Sequence, residues 1–143
     1  MSVNTCKNNA LIINGGPSPD KRVLDFLPRF DEVLAVDSGF DSAISLGIAP
    51  DVVIGDLDSI STNGLETADK QSIKIISFPK DKDESDLELA ILHASESCAS
   101  VTIVDSGGGR LDHLWGVFSA MASDATSMIT CEAFLGSSYV RLV

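Results

Sequence analysis

The sequence predicts an α/β chain folded as a three-layer α/β/α sandwich around a mostly parallel sheet, and three features predict it. Short β-branched runs recur along the chain, they are apolar nearly throughout, and segments of helical spacing separate several of them. Continuously apolar strands are covered on both faces, and alternation of strand with helix is the pattern of a parallel sheet wrapped by helices. At 143 residues the chain has the commonest size for one domain.

The first run, ALIIN (10–14), leads into the turn GGPS. A short helix candidate at 20–27 precedes the second run, VLAV (33–36). Another over 40–46 stops at Gly47, a residue suited to a left-handed C-cap. DVVI (51–54) and IKIISF (73–78) follow as the third and fourth strands. Leu87, Ala90, Ile91, Ala94 and Cys98 then repeat at the spacing of one helix face. After VTIV (101–104), Leu114, Val117, Phe118, Met121 and Ala122 repeat in the same way. SMIT (127–130) and the closing SSYVRLV read as two more strands. Sheets of this Rossmann-like kind bind ligands at the carboxyl ends of their strands. The polar motifs sit there: INGGPS, AVDSGF, GDLDS, FPKDKDESD and VDSGGGRLD follow the first five strands.

Acidic residues outnumber basic ones 21 to 10, for a formal charge of −11. Binding nucleic acid through its phosphates needs a basic surface, so that class is excluded. A nucleotide can still be held through a divalent cation. Cys6, Cys98 and Cys131 are odd in number and scattered, without zinc spacing, which reads as reduced thiols in a cytoplasmic protein. The polar N-terminus carries no secretion signal and no apolar run is long enough to span a bilayer, so no membrane association is expected.

Asp56 and Asp58 lie two apart in an extended stretch and therefore face the same side. Such a pair suits a cation or a turn, and GDLDS alone supports both. An EF-hand is excluded, because Ile60, Ser61 and Thr67 stand at its fifth, sixth and twelfth positions. FPKDKDESDLELA adds Asp81, Asp83, Glu84, Asp86 and Glu88. Ser85 with Glu88 fits a capping box, but a helix start uses one or two acids, not five. The surplus points to a shared magnesium site, since magnesium takes a few carboxylates together with substrate phosphates. In SGGGRLDH a glycine turn containing Gly108 and Gly109 runs into a helix, offering N–H groups to a phosphate, and Arg110 adds a charged fork. A flexible turn with Asp112 as N-cap is the plain alternative. GGPSPDK lacks the second glycine and the Ser/Thr of a Walker A loop. His93 reads as a packing or surface residue, and His113 beside Asp112 is a candidate substrate contact. Trp115 lies off the apolar stripe, facing a partner subunit, a further domain or the rim.

The ordered set DSG, PDVVIGDLDSI, DKDESDLELA and GGGRLDH resembles thiamine pyrophosphokinase (thiamine diphosphokinase) over about residues 10 to 135, the family's N-terminal catalytic domain. Each motif alone is common; the four in this order are specific. The resemblance implies magnesium-dependent transfer of diphosphate from ATP to the hydroxyethyl oxygen of thiamine, giving thiamine diphosphate and AMP. It also implies a homodimer with the site near the subunit interface. By motif, Asp56, Asp58 and Asp86 correspond to the metal- and diphosphate-handling carboxylates, and Arg110 and Asp112 to further catalytic residues. Asp37 and Gly39 match the loop near the nucleotide, and Gly108 and Gly109 belong to the phosphate-facing turn. Ser85 and Lys82 take positions near the substrate that the family often fills with Thr and Gln; Lys82 is a departure from that pattern. The family adds a C-terminal β-sandwich that helps bind thiamine, and 143 residues leave no room for it. The expectation is a single ATP- and magnesium-binding catalytic domain over 1–143. The rival readings are a related diphosphokinase for another alcohol, such as a hydroxymethylpterin, a DxD glycosyltransferase and a non-catalytic nucleotide-binding module. A phosphatase of the haloacid-dehalogenase type would place Thr or Val where Ile60 stands.

Overall fold

The apolar runs become strands β1 (Asn9–Ile13), β2 (Glu32–Val36), β3 (Val52–Ile54), β4 (Lys74–Ile76), β5 (Ser100–Asp105), β6 (Thr130–Leu135) and β7 (Ser138–Arg141). The computed structural model describes residues 8–55, 73–78, 84–127 and 129–142. The strands form one sheet in the order β4-β3-β2-β1-β5-β6-β7. All neighbours are parallel except β6 and β7, which form an antiparallel hairpin. The chain thus moves outward from β1 to β4, crosses back to β5, and moves outward on the other side. That reversal opens a crevice above the ends of β1 and β5, and the carboxyl ends of the five parallel strands β1 to β5 share this edge.

Helix α1 (Gly39–Leu46) covers one face of the sheet, where Ala43 and Leu46 meet Leu11, Ile13 and Val33. Helices α2 (Asp86–Ser95) and α3 (Leu111–Met121) cover the other, where Leu87, Ile91 and Val117 meet Ile12, Leu34 and Ile103. The central strands are buried on both sides, which explains their unbroken apolar sequences. Each fully buried Ile or Leu of this kind contributes about 1.5–3 kcal/mol. The predicted sandwich, the helix over 40–46 and the buried face of α2 agree with the structure; the C-cap at Gly47 does too, with φ +77°.

Four local expectations differ. Residues 20–27 hold a 3-10 helix, Lys21–Asp25, confined between Pro19 and Pro28 and capped by Asp20. The last parallel strand is not SMIT but TCEAFL, because Asp124–Thr126 form a capped 3-10 turn just before it. Glu132 interrupts that strand's apolar pattern yet is accommodated, accepting from Thr102 Oγ1 at 3.0 Å and Tyr139 Oη at 2.5 Å. β4 is a half-exposed edge strand, so IKIISF is not covered on both faces. On α3 the buried strip is Val117, Ala120 and Met121, narrower than the helix's apolar arc. Phe118 is left 37% exposed beside Leu111 at 78% and Trp115 at 69%.

Gly39 is where α1 touches the sheet, since a Cβ there would lie 2.1 Å from the Ile13 carbonyl oxygen. Gly39→Ala is expected to lose about 1–3 kcal/mol through overpacking against backbone. Gly116, inside α3, has nothing within 4 Å of a built Cβ. Gly116→Ala should gain about 0.5–1 kcal/mol from helix propensity. Urea unfolding of both variants checks the pair, and an unchanged midpoint for Gly39→Ala would contradict the close approach.

Candidate active site

A cleft of about 510 Å³ opens at the crevice. The loops after β1 (Asn14, Gly16) and β2 (Asp37, Ser38) form one side, and the first turns of α2 (Ser85, Asp86) and α3 (Asp112, His113) form the other. Three carboxylates, Asp37, Asp86 and Asp112, therefore share one cavity although they are far apart in sequence.

The crevice is braced from below by Asp105, the last residue of β5, whose side chain is 1% exposed. Its Oδ2 accepts from Asn14 Nδ2 at 2.9 Å and lies 2.7 Å from His113 Nε2; its Oδ1 accepts from the Gly107 N–H at 2.9 Å. Three donors compensate the desolvation of a buried carboxylate. They also tie β1, the loop after β5 and the first turn of α3 to one group. The imidazole lies over Gly16, where a Cβ would sit 3.3 Å from Nε2.

The β2 end is equally constrained. Asp37 takes φ +52°, uncommon for a residue other than glycine. Its N–H donates to the Ile54 carbonyl at 2.9 Å. Gly55, at φ +136°, leaves room for the Asp37 carboxylate, because a Cβ there would lie 2.0 Å from Oδ1. Ser38 Oγ accepts from the Gly16 N–H at 3.0 Å, joining the two loops. Across the cleft, Ser85 caps α2 by accepting from the Glu88 N–H at 3.2 Å. Asp86 stands in the first turn, where the helix dipole favours its charge.

At the start of α3 the N-cap position belongs to Arg110, not Asp112. Asp112 instead pairs with Arg110 (Nε to Oδ1, 3.1 Å) and accepts from the His113 N–H. Both side chains are mostly exposed, so the pair contributes at most about 1 kcal/mol. The Gly108 N–H donates to Ser106 Oγ, and Gly109 turns at φ +83° against Pro17.

Of the residues singled out from sequence, Asp37, Ser85, Asp86 and Asp112 meet in the cleft. Gly108, Gly109 and Arg110 occupy the exposed turn before α3, outside the residues lining it. Gly39 sits behind it, against β1. Asp56, Asp58 and Lys82 lie outside the described residues. Among the described residues no three His, Cys, Asp or Glu side chains come together as a metal cluster. Sequence reasoning overlooked Asn14, Ser38 and Asp105, although each stands in a polar strand end it had recognised. Cys98 and Cys131 are buried thiols outside any disulfide among the described residues, away from the cleft, and burial pushes the Cys131 thiol up to about 12.

The family model described as thiamin pyrophosphokinase, catalytic domain, matches residues 25–131. A curated thiamine pyrophosphokinase from Bacillus subtilis (strain 168) is 31% identical over 109 residues, covering 73% of this chain and 50% of the relative. A solved thiamine pyrophosphokinase from Bacillus subtilis superposes with a TM-score of 0.72 at 23% identity, over 89% of this chain and 60% of that one. The yeast thiamin pyrophosphokinase structure gives 0.68 at 16% identity, over 92% and 59%. At such identities the superpositions speak for the fold. The chain spans half the length of the curated relative.

Gly55 offers a test of the β2 end. Gly55→Ala is expected to cost about 1–3 kcal/mol through a strained φ and a displaced Asp37. Guanidinium unfolding measures the loss. Wild-type stability in this variant would show that the Asp37–Gly55 contact constrains nothing.

Proposed function

This chain belongs to the thiamin pyrophosphokinase catalytic-domain family, and on that premise we propose that it transfers diphosphate from ATP to the hydroxyethyl oxygen of thiamine, releasing AMP. The observation that carries this reading is the family match over residues 25–131, a span that takes in β2 to β5 and both helix starts facing the cleft. The position of the cleft supports it, because the reversal point of a parallel sheet is where phosphate-bearing ligands bind. ATP, thiamine and magnesium are the proposed ligands, and 1–143 is read as one catalytic domain.

In this reading Asp56, Asp58 and Asp86 hold the magnesium. A set of carboxylate oxygens suits that hard cation, and Asp86 faces the cleft. Bound magnesium would supply charge neutralisation on the phosphate oxygens. Arg110 and Lys82 donate charged N–H groups to the diphosphate, Asp112 orients Arg110, and the turn at Gly108 and Gly109 keeps that rim close to the phosphates. Asp37 and Gly39 shape the nucleotide side, and Ser85 fixes the α2 terminus beneath the substrate. Catalysis is then chiefly positioning and electrostatics. A homodimer is proposed as well, for which the exposed Leu111, Trp115 and Phe118 stripe offers an apolar surface. A cytoplasmic location fits the buried thiols of Cys98 and Cys131, which form no disulfide among the described residues. Among the described residues no helix is long and apolar enough to cross a membrane.

AMP release from Mg-ATP is expected with thiamine as acceptor and not with a hydroxymethylpterin. Asp56→Asn and Asp58→Asn each remove one negative charge while keeping shape and turn-forming ability. The apo variants should melt at or slightly above the wild-type temperature, relieved of like-charge repulsion. The stabilisation conferred by Mg-ATP should disappear from both. Melting curves with and without Mg-ATP decide the matter, and a full ligand-induced shift in both variants would end the metal assignment.

A further inference from the structure

Asp105 and Asn14 are buried at the ends of the two central strands; Asn14 donates to the Asp105 carboxylate, and the same carboxylate oxygen holds His113 against the cleft. A carboxylate accepts and does not donate, so a 2.7 Å contact from His113 Nε2 to Asp105 Oδ2 places the ring proton on Nε2. Nδ1 then carries the lone pair. Among the described residues Nδ1 has no protein partner, while the ring is 31% exposed and lines the cleft. Asn14 occupies the second acceptor direction of the same oxygen, and Gly107 occupies Oδ1, so the carboxylate has little freedom to rotate. A surface histidine needs no such scaffold. The arrangement is that of an oriented base: a buried carboxylate fixes tautomer and ring plane and leaves the other nitrogen for a ligand.

We propose that His113 is a catalytic residue, the acceptor of the substrate alcohol's proton, with Asp105 and Asn14 as positioning residues. The inference rests on the diphosphotransferase reading given above. In the step, the hydroxyl proton passes to His113 Nδ1 as the alcohol oxygen forms a bond to the β-phosphorus of ATP. The bond from that phosphorus to the oxygen bridging the α-phosphorus breaks, and its electron pair leaves on AMP. The imidazolium is stabilised by Asp105 until its proton passes to solvent. The charge on phosphorus is handled elsewhere, so His113 serves the nucleophile alone.

Two measurements on the same chain test this. In ¹⁵N-histidine-labelled protein, with His93→Gln used for assignment, long-range ¹H–¹⁵N spectra should show His113 protonated at Nε2 and bare at Nδ1. Asp105→Asn should abolish that preference. A fixed Nδ1–H tautomer, or two averaging tautomers, in the wild type would overturn the proposal whatever the activity. In the second measurement, AMP formation from Mg-ATP and thiamine should fall about 10²–10⁴-fold in kcat for His113→Gln, with ATP affinity kept within about twofold. Added imidazole should restore part of the rate to His113→Ala, which loss of a structural contact would not allow. A His113→Gln kcat within about threefold of wild type would refute the base role while leaving the diphosphotransferase reading intact. If the wild type forms no AMP, that reading fails, and the base role fails with the reaction it serves, even where the Nε2–H tautomer is found.

Discussion

A charged group placed where the sheet reverses direction organises the site. Asp105 ends β5 at the one point where neighbouring strand ends send their loops to opposite sides. Burying a carboxylate is costly unless hydrogen bonds replace its water, so Asn14, Gly107 and His113 cannot drift without exposing that cost. The first turn of α3 and the loop after β1 are thereby held facing each other across the crevice. Cleft shape follows from an electrostatic requirement as much as from apolar packing.

Close approach of backbone does the rest. Gly39 lets α1 begin against the last carbonyl of β1, and Gly55 gives the Asp37 carboxylate the space that any side chain would fill. Between them Ser38 bonds the Gly16 N–H, so the loops after β1 and β2 act as one wall. The opposite wall is built on helix starts, where the caps and dipoles of α2 and α3 favour acidic side chains. Sheet, glycines and helix ends each fix a different part of the cavity. None of them depends on the exposed ion pair between Arg110 and Asp112.

Most of the fold was legible because burial leaves a period. Leu87, Ala90, Ile91, Ala94 and Cys98 are all buried, as their spacing requires, and the parallel strands announce themselves by apolar runs. Legibility failed where a long-range contact rescues a polar residue. TCEAFL does not look like a buried strand until Thr102 and Tyr139 are seen to satisfy Glu132. At the site, motif order located Asp37, Ser85, Asp86 and Asp112. Asp105 and Asn14 were not legible as a pair, because they are 91 residues apart and meet only through the β1–β5 register. His113 was legible only as a candidate substrate contact, since its buried partner stands on the preceding strand.

Charge balance links the site to the whole molecule. With a formal net charge of −11 and acidic groups facing the cleft, the chain repels a polyanion such as ATP at long range. A polyanionic ligand therefore needs cationic charge brought in with it: among the described residues no Lys or Arg lines the cleft, and Arg110 stands on the turn beside it. A further carboxylate in such a field would add to the repulsion. An imidazole whose Nε2 is held by a buried carboxylate presents Nδ1 to the cleft without adding an anion there. The carboxylate is kept beneath the sheet's end, bonded to Asn14, Gly107 and His113, and the group turned to the cleft is the imidazole ring.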